Sequence, residues 1–122
     1  MTKLASIIRD YYSRIDACDI DWVVSIFAPD AVYERAGFQY GSLSEIERFF
    51  RVERQIRGRH EIADTWSDAE RRTIWVTGTF DGFGAKGDAR RICFADMWQF
   101  NTAALVDRRQ TYLATGHEYV LQ

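Results

Sequence analysis

The second half of this sequence is a succession of strand-like segments, and these segments restrict the possible folds more than any other feature. Four stretches rich in β-branched and aromatic residues follow one another, "RHEIADTWS", "RRTIWVTGTFDGF", "ARRICFADMWQF" and "ALVDRRQTYLAT". Only "DAE", "GAKGD" and "NTA" separate them, and connections this short join antiparallel neighbours. The segments therefore predict a meander, which Gly78 is expected to bend or bulge so that the sheet curls.

Two helices and a strand are predicted at the start of the chain. Apolar residues recur at helical spacing from Thr2 to about Ala17, which indicates an amphipathic first helix. A second helix, "DIDWVVSIF", is expected to begin after a capping Asp19 and to stop before Pro29. The next stretch, "AVYER", is strand-like.

A third helix is predicted after the glycine-containing turn "AGFQYGS". Ser44 and Glu47 have the spacing of a capping box, and the helix they open is expected to reach about Ile56. Gly58 stands where glycine commonly ends a helix. Helices followed by antiparallel strands make an α+β fold, in which three helices cover one face of a curved sheet. The curved sheet and the helices together enclose a cone, and a pocket is expected inside it.

Length and charge limit the function classes. The 122 residues suffice for one domain, and no linker or low-complexity segment divides residues 1–122. The formal net charge is −2, so the chain lacks the excess of basic residues that is typical of proteins that bind nucleic acids, and we expect no nucleic acid partner. No apolar run is long enough to span a membrane and the N-terminus is too polar for a signal peptide, so we expect no membrane partner and a cytoplasmic location. Three short basic pairs are expected to be solvated: Arg71-Arg72, Arg90-Arg91 and Arg108-Arg109.

The two cysteines, Cys18 and Cys93, lie far apart in the sequence. With His60 and His117 they make no recognised metal motif. We expect both thiols in the core, with no disulfide, no metal and no cofactor.

The segment "ICFADMWQF", residues 92–100, carries a carboxylate in the middle of an apolar strand face. Asp96 shares its parity with Phe94 and Trp98, and an ionised, unpaired carboxylate would be costly among buried rings. Asp96 must therefore be paired, be neutralised or serve a function, and burial alone favours its neutral form. A position facing the pocket is predicted. Two structural alternatives are a hydrogen bond to a buried tyrosine or backbone amide, and a parity change at a bulge.

The order and spacing of several motifs resemble the nuclear transport factor 2-like superfamily, and within it the SnoaL-like polyketide cyclases and the ketosteroid isomerases. The resemblance rests on a long first helix, "FAPDAVYE", "YGSLSEIERFF" and "DMWQF", and it spans nearly the whole chain. It implies a cystatin-like fold, in which a cone-shaped barrel of curved antiparallel β-sheet packs on three N-terminal helices. The superfamily includes isomerases, cyclases, dehydratases, epoxide hydrolases and members without catalysis, so the fold alone does not decide the function.

The resemblance assigns roles to three positions. Asp96 matches the strand aspartate that is the acid/base in SnoaL-like cyclases and a protonated hydrogen-bond donor in ketosteroid isomerase. Tyr11 matches the first-helix tyrosine that partners it, although a shift of one residue would give that role to Tyr12. The isomerase's general base corresponds to Arg35, which stays protonated near neutrality, so the ketosteroid mechanism is disfavoured. Limonene-type epoxide hydrolases have an arginine where this chain has Phe94, so their chemistry is disfavoured too.

Further site candidates come from strand parity and composition. His60 begins a strand on the parity of Ile62, Asp64 and Trp66, and its titration near neutrality suits proton transfer, although such a histidine is often polar surface. Arg35 is expected at the pocket mouth, as a salt-bridged rim residue or as a group that orients an anionic or carbonyl-bearing ligand. Aromatic residues are core by default, but their number predicts a flat apolar ligand in a lining that comprises Tyr33, Tyr40, Trp66, Phe80, Phe94, Trp98 and Tyr112.

Two functions follow from these residues. The first is a cofactor-independent cyclase, isomerase or dehydratase that binds a hydrophobic small molecule, with Asp96, Tyr11 and His60 as catalytic candidates. The second is a non-catalytic ligand-binding or dimeric scaffold domain of the same fold. An enzyme needs a second proton-active group within reach of Asp96, whereas a bare aromatic cavity would favour binding alone.

A homodimer through the outer sheet face is also expected. The resemblance implies it, and the alternation of Trp75 with Thr77 and Thr79 places a tryptophan on an otherwise polar face.

Overall fold

A computed structural model describes residues 2–114 of the chain. The helices are α1 (Thr2–Asp16), α2 (Ile20–Ser25) and α3 (Leu43–Arg48), the last continued by a π-helical turn, Phe49–Glu53. The strands are β1 (Phe27–Arg35), β2 (Phe38–Tyr40), β3 (Arg57–Asp68), β4 (Thr73–Phe83), β5 (Ala89–Phe100) and β6 (Val106–Leu113).

The six strands form one curved sheet in the order β2-β1-β6-β5-β4-β3. β3 to β6 make the predicted antiparallel meander, and β1 joins β6 in parallel. The N-terminal helices pack on one face of the sheet, which has β2 and β3 as its edges and is not closed. The α+β architecture predicted from the sequence is confirmed.

The core lies between α1 and the inner face of the meander. The buried residues of α1 are Ile8, Tyr11 and Ile15, as the helical spacing predicted, together with Tyr12, which that spacing did not include. Opposite them, the alternating residues of β5 turn inward, and Trp98 is fully buried. Burial of these large side chains is what fixes the helices on this face of the sheet.

The junction after α2 differs from the prediction. The helix ends at Ser25, and Phe27 already belongs to β1, which also contains Pro29. The pairing of β1 with β6 shifts register between Phe27 and Val32, so Pro29 lies where its missing N–H costs no regular ladder bond.

The predicted bounds of the third helix are wrong at both ends. Ser42, not Ser44, is the N-cap and accepts from the N–H of Glu45 at 3.3 Å, because the segment "GSLSE" offers two serines. The α-helical part ends at Arg48. Gly58 lies within β3, where a Cβ would stand 2.3 Å from the carbonyl oxygen of Asp81, so close strand packing and not a helix end requires glycine there.

The expected sheet irregularity at Gly78 is present on the neighbouring strand. The β3–β4 register shifts between Ile62 and Asp64, and Ile62 lies opposite Gly78. A bulge reverses strand parity, so residues of β3 beyond it face the other side of the sheet.

Cys18 and Cys93 are free and exposed, so the prediction that both thiols lie in the core is wrong. Cys18 follows α1 with a positive φ of 58°, and Cys93 is on the outer parity of β5. Within residues 2–114, no helix is both long and apolar enough to cross a membrane.

Candidate active site

A cavity of about 380 Å³ opens between the helices and the inner face of the sheet. The π-helical turn and the residues after it form one wall, and inward residues of β4, β5 and β6 form the other. Its lining combines aromatic rings with ionisable groups: Tyr11, Tyr33, Arg35, Phe49, Phe50, Glu53, Arg54, Gln55, Ile56, His60, Phe80, Arg90, Arg91, Ile92, Phe94, Asp96, Arg109, Thr111 and Leu113.

Asp96 is paired on both of its oxygens. It is 1% exposed, and its Oδ2 accepts from the Tyr12 hydroxyl at 2.6 Å and from Arg109 Nη2 at 2.9 Å. Its Oδ1 accepts from the Thr111 hydroxyl. The β5–β6 register places Thr111 directly opposite Asp96. Asp96 therefore accepts from three donors, one of which is the guanidinium of Arg109, and such charge-assisted pairing offsets the cost of burying a carboxylate in the apolar strand face.

Every hydrogen bond in the network that ends at Asp96 has its donor proton directed toward the carboxylate. Thr111 uses its one hydroxyl proton on Asp96, so the 2.9 Å contact between Tyr33 and Thr111 has Tyr33 as donor. Trp98 Nε1 donates to the Tyr12 hydroxyl at 3.1 Å, and Tyr12 donates onward to the carboxylate. Burial and then the Asp96 charge raise the pKa of Tyr12 well above its usual value. These groups are held as fixed donors and leave Asp96 with little capacity to act as a base.

Arg109 is the buried counter-ion of Asp96 and is only 4% exposed. Its guanidinium carbon lies 4.1 Å from the ring centroid of Trp98 and 4.6 Å from those of Tyr11 and Tyr33. Burial disfavours the cation, but Asp96 and the surrounding tyrosines outweigh burial and raise the pKa of Arg109 well above its ordinary value. Arg109 is therefore a permanent cation in the cavity lining.

Tyr11 presents the one hydroxyl proton of this cluster that no described residue accepts. Its oxygen accepts from Arg109 Nη1 at 2.6 Å. Burial raises its pKa to about 12, against the opposing effect of Arg109, so the phenol stays neutral. A neutral hydroxyl that accepts from a cation is a strengthened donor, and Tyr11 lines the cavity.

His60 and Asp16 form a second polar pair at the cavity wall. His60 Nδ1 lies 2.5 Å from Asp16 Oδ1, and Asp16 Oδ2 accepts the backbone N–H of His60 at 2.8 Å. The ring packs against Phe80 and Phe94, with centroids 4.9 and 5.5 Å apart. In the tautomer in which Nδ1–H donates to Asp16, Nε2 carries the lone pair, and no hydrogen bond from residues 2–114 to Nε2 is present.

The structure brings seven of the eleven predicted site residues into the cavity lining. These are Tyr11, Tyr33, Arg35, His60, Phe80, Phe94 and Asp96. The preferred pairing of Tyr11 with Asp96 is corrected: Tyr12 makes that hydrogen bond, because consecutive helix residues point about 100° apart and both are buried. Tyr11 contacts the carboxylate only through Arg109.

Four predicted lining residues lie elsewhere. Trp66 is 56% exposed, because the bulge after Ile62 turns it outward opposite Trp75. Tyr112 is 47% exposed on the outer parity of β6. Tyr40 packs on Phe49 outside the cavity lining, and Trp98 is buried behind the Asp96 network.

Several residues of the site were missed in the sequence. The prediction that Arg109 is solvated like the other basic pairs is wrong. The alternation of β6 indicates its position: Arg108, Gln110 and Tyr112 share one face, so Arg109 and Thr111 share the other. Asp16 and Arg54 gave no sequence signal, because only the packing of α1 brings Asp16 to His60 and only the π-helical turn brings Arg54 to the cavity.

Metal ligation is not indicated by the described residues. No group of three or more His, Cys, Asp or Glu side chains between residues 2 and 114 could hold a metal ion.

Comparisons with solved structures show the fold. An NTF2-like protein of unknown function from Burkholderia pseudomallei superposes with a TM-score of 0.83 at 19% identity, over 99% of this chain and 98% of that one. SalBIII, an epoxide hydrolase/cyclase-like enzyme of pyran ring formation in the polyether salinomycin, superposes with a TM-score of 0.81 at 14% identity, over 93% and 92%. A candidate polyketide cyclase from Pseudomonas putida gives 0.79 at 16% identity, over 95% and 94%.

Sequence comparison supplies the family. A search of curated proteins finds no match. The SnoaL-like domain model matches residues 8–108, which contain α2, α3, the π-helical turn, β1 to β5 and most of α1. This chain therefore belongs to the SnoaL-like domain family, with a cystatin-like, NTF2-like fold.

Proposed function

We propose that this SnoaL-like protein binds a hydrophobic, ring-containing carbonyl compound in its cavity and catalyses cofactor-independent proton transfer on it. The observation that carries the proposal is the presence of two complementary groups in one aromatic cavity: the Tyr11 hydroxyl as a donor and His60 Nε2 as a base. Cyclases, isomerases and dehydratases of such substrates all require proton removal beside a carbonyl group.

His60 is better suited than Asp96 to the role of general base. Asp96 already accepts three hydrogen bonds and pairs with Arg109, so it would have to lose part of this network to take up a proton. His60 is oriented by Asp16 through Nδ1, which leaves Nε2 to accept the proton. In this assignment Asp96 positions Arg109, and Arg109 in turn polarises Tyr11.

The reaction step is simple in outline. His60 Nε2 takes a proton from the carbon next to the ligand's carbonyl group; the electron pair of that C–H bond forms the C=C bond of the enolate, and the π pair of the C=O bond moves to the oxygen. Tyr11 donates a hydrogen bond to the developing enolate, a contribution that grows with the charge on the oxygen. The rings around the cavity exclude water and hold the ligand's apolar body.

Deuterium incorporation in D₂O tests this proposal without knowledge of the natural substrate. Bicyclic ketones such as 2-tetralone exchange their α-protons slowly in buffer, and ¹H NMR follows the loss of signal. The native protein should accelerate the exchange, and His60→Gln should lower the protein-dependent rate by about 10²-fold or more. Tyr11→Phe should lower it by a similar factor, whereas Tyr40→Phe, a tyrosine outside the lining, should not change it.

A non-catalytic binding domain is the second candidate. Arg35 at the position of the isomerase base and the saturated hydrogen bonding of Asp96 favour it. Ketones that bind and yet exchange at the buffer rate would support this candidate and contradict proton transfer.

A further inference from the structure

Some of the charged side chains that line the cavity form ion pairs with carboxylates, and others do not. Five arginines and two carboxylates belong to the lining. Among them, Arg109 pairs with Asp96 at 2.9 Å, Arg90 with Asp88 at 2.7 Å and Arg91 with Asp81 at 3.6 Å. Within residues 2–114, the remaining arginines of the lining, Arg35 and Arg54, lie within ion-pair distance of no carboxylate.

Arg54 is half-buried in the wall that faces the cavity. Its side chain makes one hydrogen bond, to the carbonyl oxygen of Ile56 at 3.3 Å, and no other within the described residues. Burial lowers the pKa of Arg54, and the nearby cations Arg109 and Arg57 act in the same direction. A half-buried cation without a counter-ion is unfavourable, and an anion in the cavity would relieve it.

Arg35 is the second arginine of the lining that lies within ion-pair distance of no carboxylate between residues 2 and 114. Its guanidinium carbon lies 4.8 Å from the ring centroid of Phe49, so the side chain is held against the aromatic wall. Glu53, the nearest acidic member of the lining in sequence, is engaged by Tyr40 at 3.2 Å and by Arg48 at 4.0 Å. The fixed position of Arg35 suits recognition of a ligand better than a flexible surface charge would.

We infer that the ligand of this cavity is an anionic aromatic or alicyclic compound, with a carboxylate as the fitting group, and that Arg54 binds this group with Arg35 in support. Guanidinium groups match the planar geometry of a carboxylate and bind it through paired, charge-assisted hydrogen bonds. The apolar body of the ligand lies against the rings of the cavity. This inference rests on the proposed function, since it names the substrate class of the same site.

Two probes of one shape and different charge test the inference. 2-Naphthoate and 2-acetonaphthone share the naphthalene ring and a planar carbonyl group, and isothermal titration calorimetry gives a Kd for each. The native protein should bind the naphthoate about tenfold or more tightly than the ketone, since hydrogen bonds between charged partners are roughly twice as strong as neutral ones. Arg54→Gln should remove this preference and leave the Kd of the ketone unchanged.

Control variants separate charge recognition from structure. Arg54→Lys should retain most of the preference, and Arg35→Gln should reduce it in part. Arg71→Gln, which removes a guanidinium that is 81% exposed and outside the lining, should leave both Kd values unchanged. Equal affinity for the two probes in the native protein, or an equal loss of both in Arg54→Gln, would overturn the inference and leave the proposed function standing. If neither probe binds, the inference fails, and the deuterium exchange of 2-tetralone decides the proposed function separately.

Discussion

Asp96 and Arg109 form a buried ion pair, and hydrogen bonds to this pair orient the neighbouring side chains of the site. Two hydroxyls donate directly to the carboxylate, those of Tyr12 and Thr111. Two further donors act through these hydroxyls: Trp98 donates to Tyr12, and Tyr33 donates to Thr111. Arg109 connects this network to the hydroxyl of Tyr11, a residue of the cavity lining. A buried pair of this kind costs much to break, because removal of one charge leaves the other unpaired in a low-dielectric environment.

Asp96→Asn tests the energetic side of this network. The substitution keeps the shape of the side chain, removes its charge and leaves Arg109 buried without a counter-ion. We expect a loss of about 3–5 kcal/mol in the free energy of unfolding, measured by urea denaturation. Asp88→Asn, which breaks the exposed pair with Arg90, is the matched control and should change the free energy of unfolding far less, because solvent screens this pair. Equal losses in the two variants would contradict a buried ion pair.

Tyr11 makes stability sensitive to alkaline pH. Its pKa is raised from 10.0 to about 12 by burial, so the folded state holds the phenolic proton more tightly than the unfolded state. The resulting stabilisation is complete below pH 10 and is lost as the pH rises toward 12. Tyr11→Phe should flatten the fall in unfolding free energy between pH 9.5 and 11.5, as urea titrations at successive pH values would measure. An unchanged slope would show that Tyr11 ionises normally.

The sequence predicted the position of Asp96 but not its partners. Strict alternation in "ICFADMWQF" placed the carboxylate on the inner face, since four large apolar residues share its parity. Thr111 and Arg109 become partners only through the β5–β6 register, and register depends on tertiary packing. The Tyr11 or Tyr12 ambiguity had the same origin, because both residues lie on the buried stripe of α1.

At the scale of elements, two irregularities position the site. The bulge in β3 lies between His60, which faces the cavity, and Trp66, which faces outward. The π-helical turn ends with the Arg54 N–H donating to the carbonyl oxygen of Phe49 at 2.8 Å, and it brings Arg54 to the cavity wall. Bulges and π-helical turns are both common beside functional sites.

Gly78→Ala tests the close strand approach at the bulge. A Cβ at this position would stand 2.3 Å from the carbonyl oxygen of Glu61, a distance that forces the two strands apart. We expect a loss of about 1–3 kcal/mol in the free energy of unfolding. Gly41→Ala is the control, since its Cβ would meet only the side-chain Oε2 of Glu45 at 3.7 Å. Comparable stabilities for the two variants would contradict tight packing at the bulge.

Regular elements were easier to predict than these irregularities. The periodicity of α1 and the alternation of β3 to β6 come from burial of one face of each element. Apolar residues occupy the buried positions, so the pattern can be seen in the sequence. The bulge after Ile62 moved Trp66 to the outer face, and a parity count cannot detect one extra residue. The sequence pattern did not predict the short strand β2, and it indicated the second serine of "GSLSE" as the cap instead of the first, because local preferences there are nearly balanced.

At the scale of the whole molecule, the outer face of the sheet carries an apolar stripe. Trp66 and Trp75 are paired across β3 and β4, and the rings of Trp75 and Tyr112 are stacked with centroids 6.2 Å apart. The three side chains are 40–56% exposed. Contiguous exposed rings on a sheet face are typical of an interface, so we expect a homodimer across this face.

Trp75→Glu should convert that dimer to a monomer, because it places two charges in the apolar stripe across the two-fold axis. Light scattering coupled to size exclusion gives the mass directly. Phe38→Glu changes a side chain that is 67% exposed in β2, away from the stripe, and should leave the dimer intact. A native protein that is monomeric at micromolar concentrations would contradict the assignment of this face.

The tautomer of His60 tests the central claim most directly, because proton transfer in this cavity requires Nε2 to be unprotonated and accessible. Long-range ¹⁵N–¹H correlation spectra at pH 8.5, with and without 2-tetralone, distinguish the two ring nitrogens, and His60→Gln assigns the signals. The account predicts a proton on Nδ1, held by Asp16, and an Nε2 signal that shifts when the ketone is added. A proton on Nε2, or an Nε2 signal that saturating ketone leaves unmoved, would contradict it.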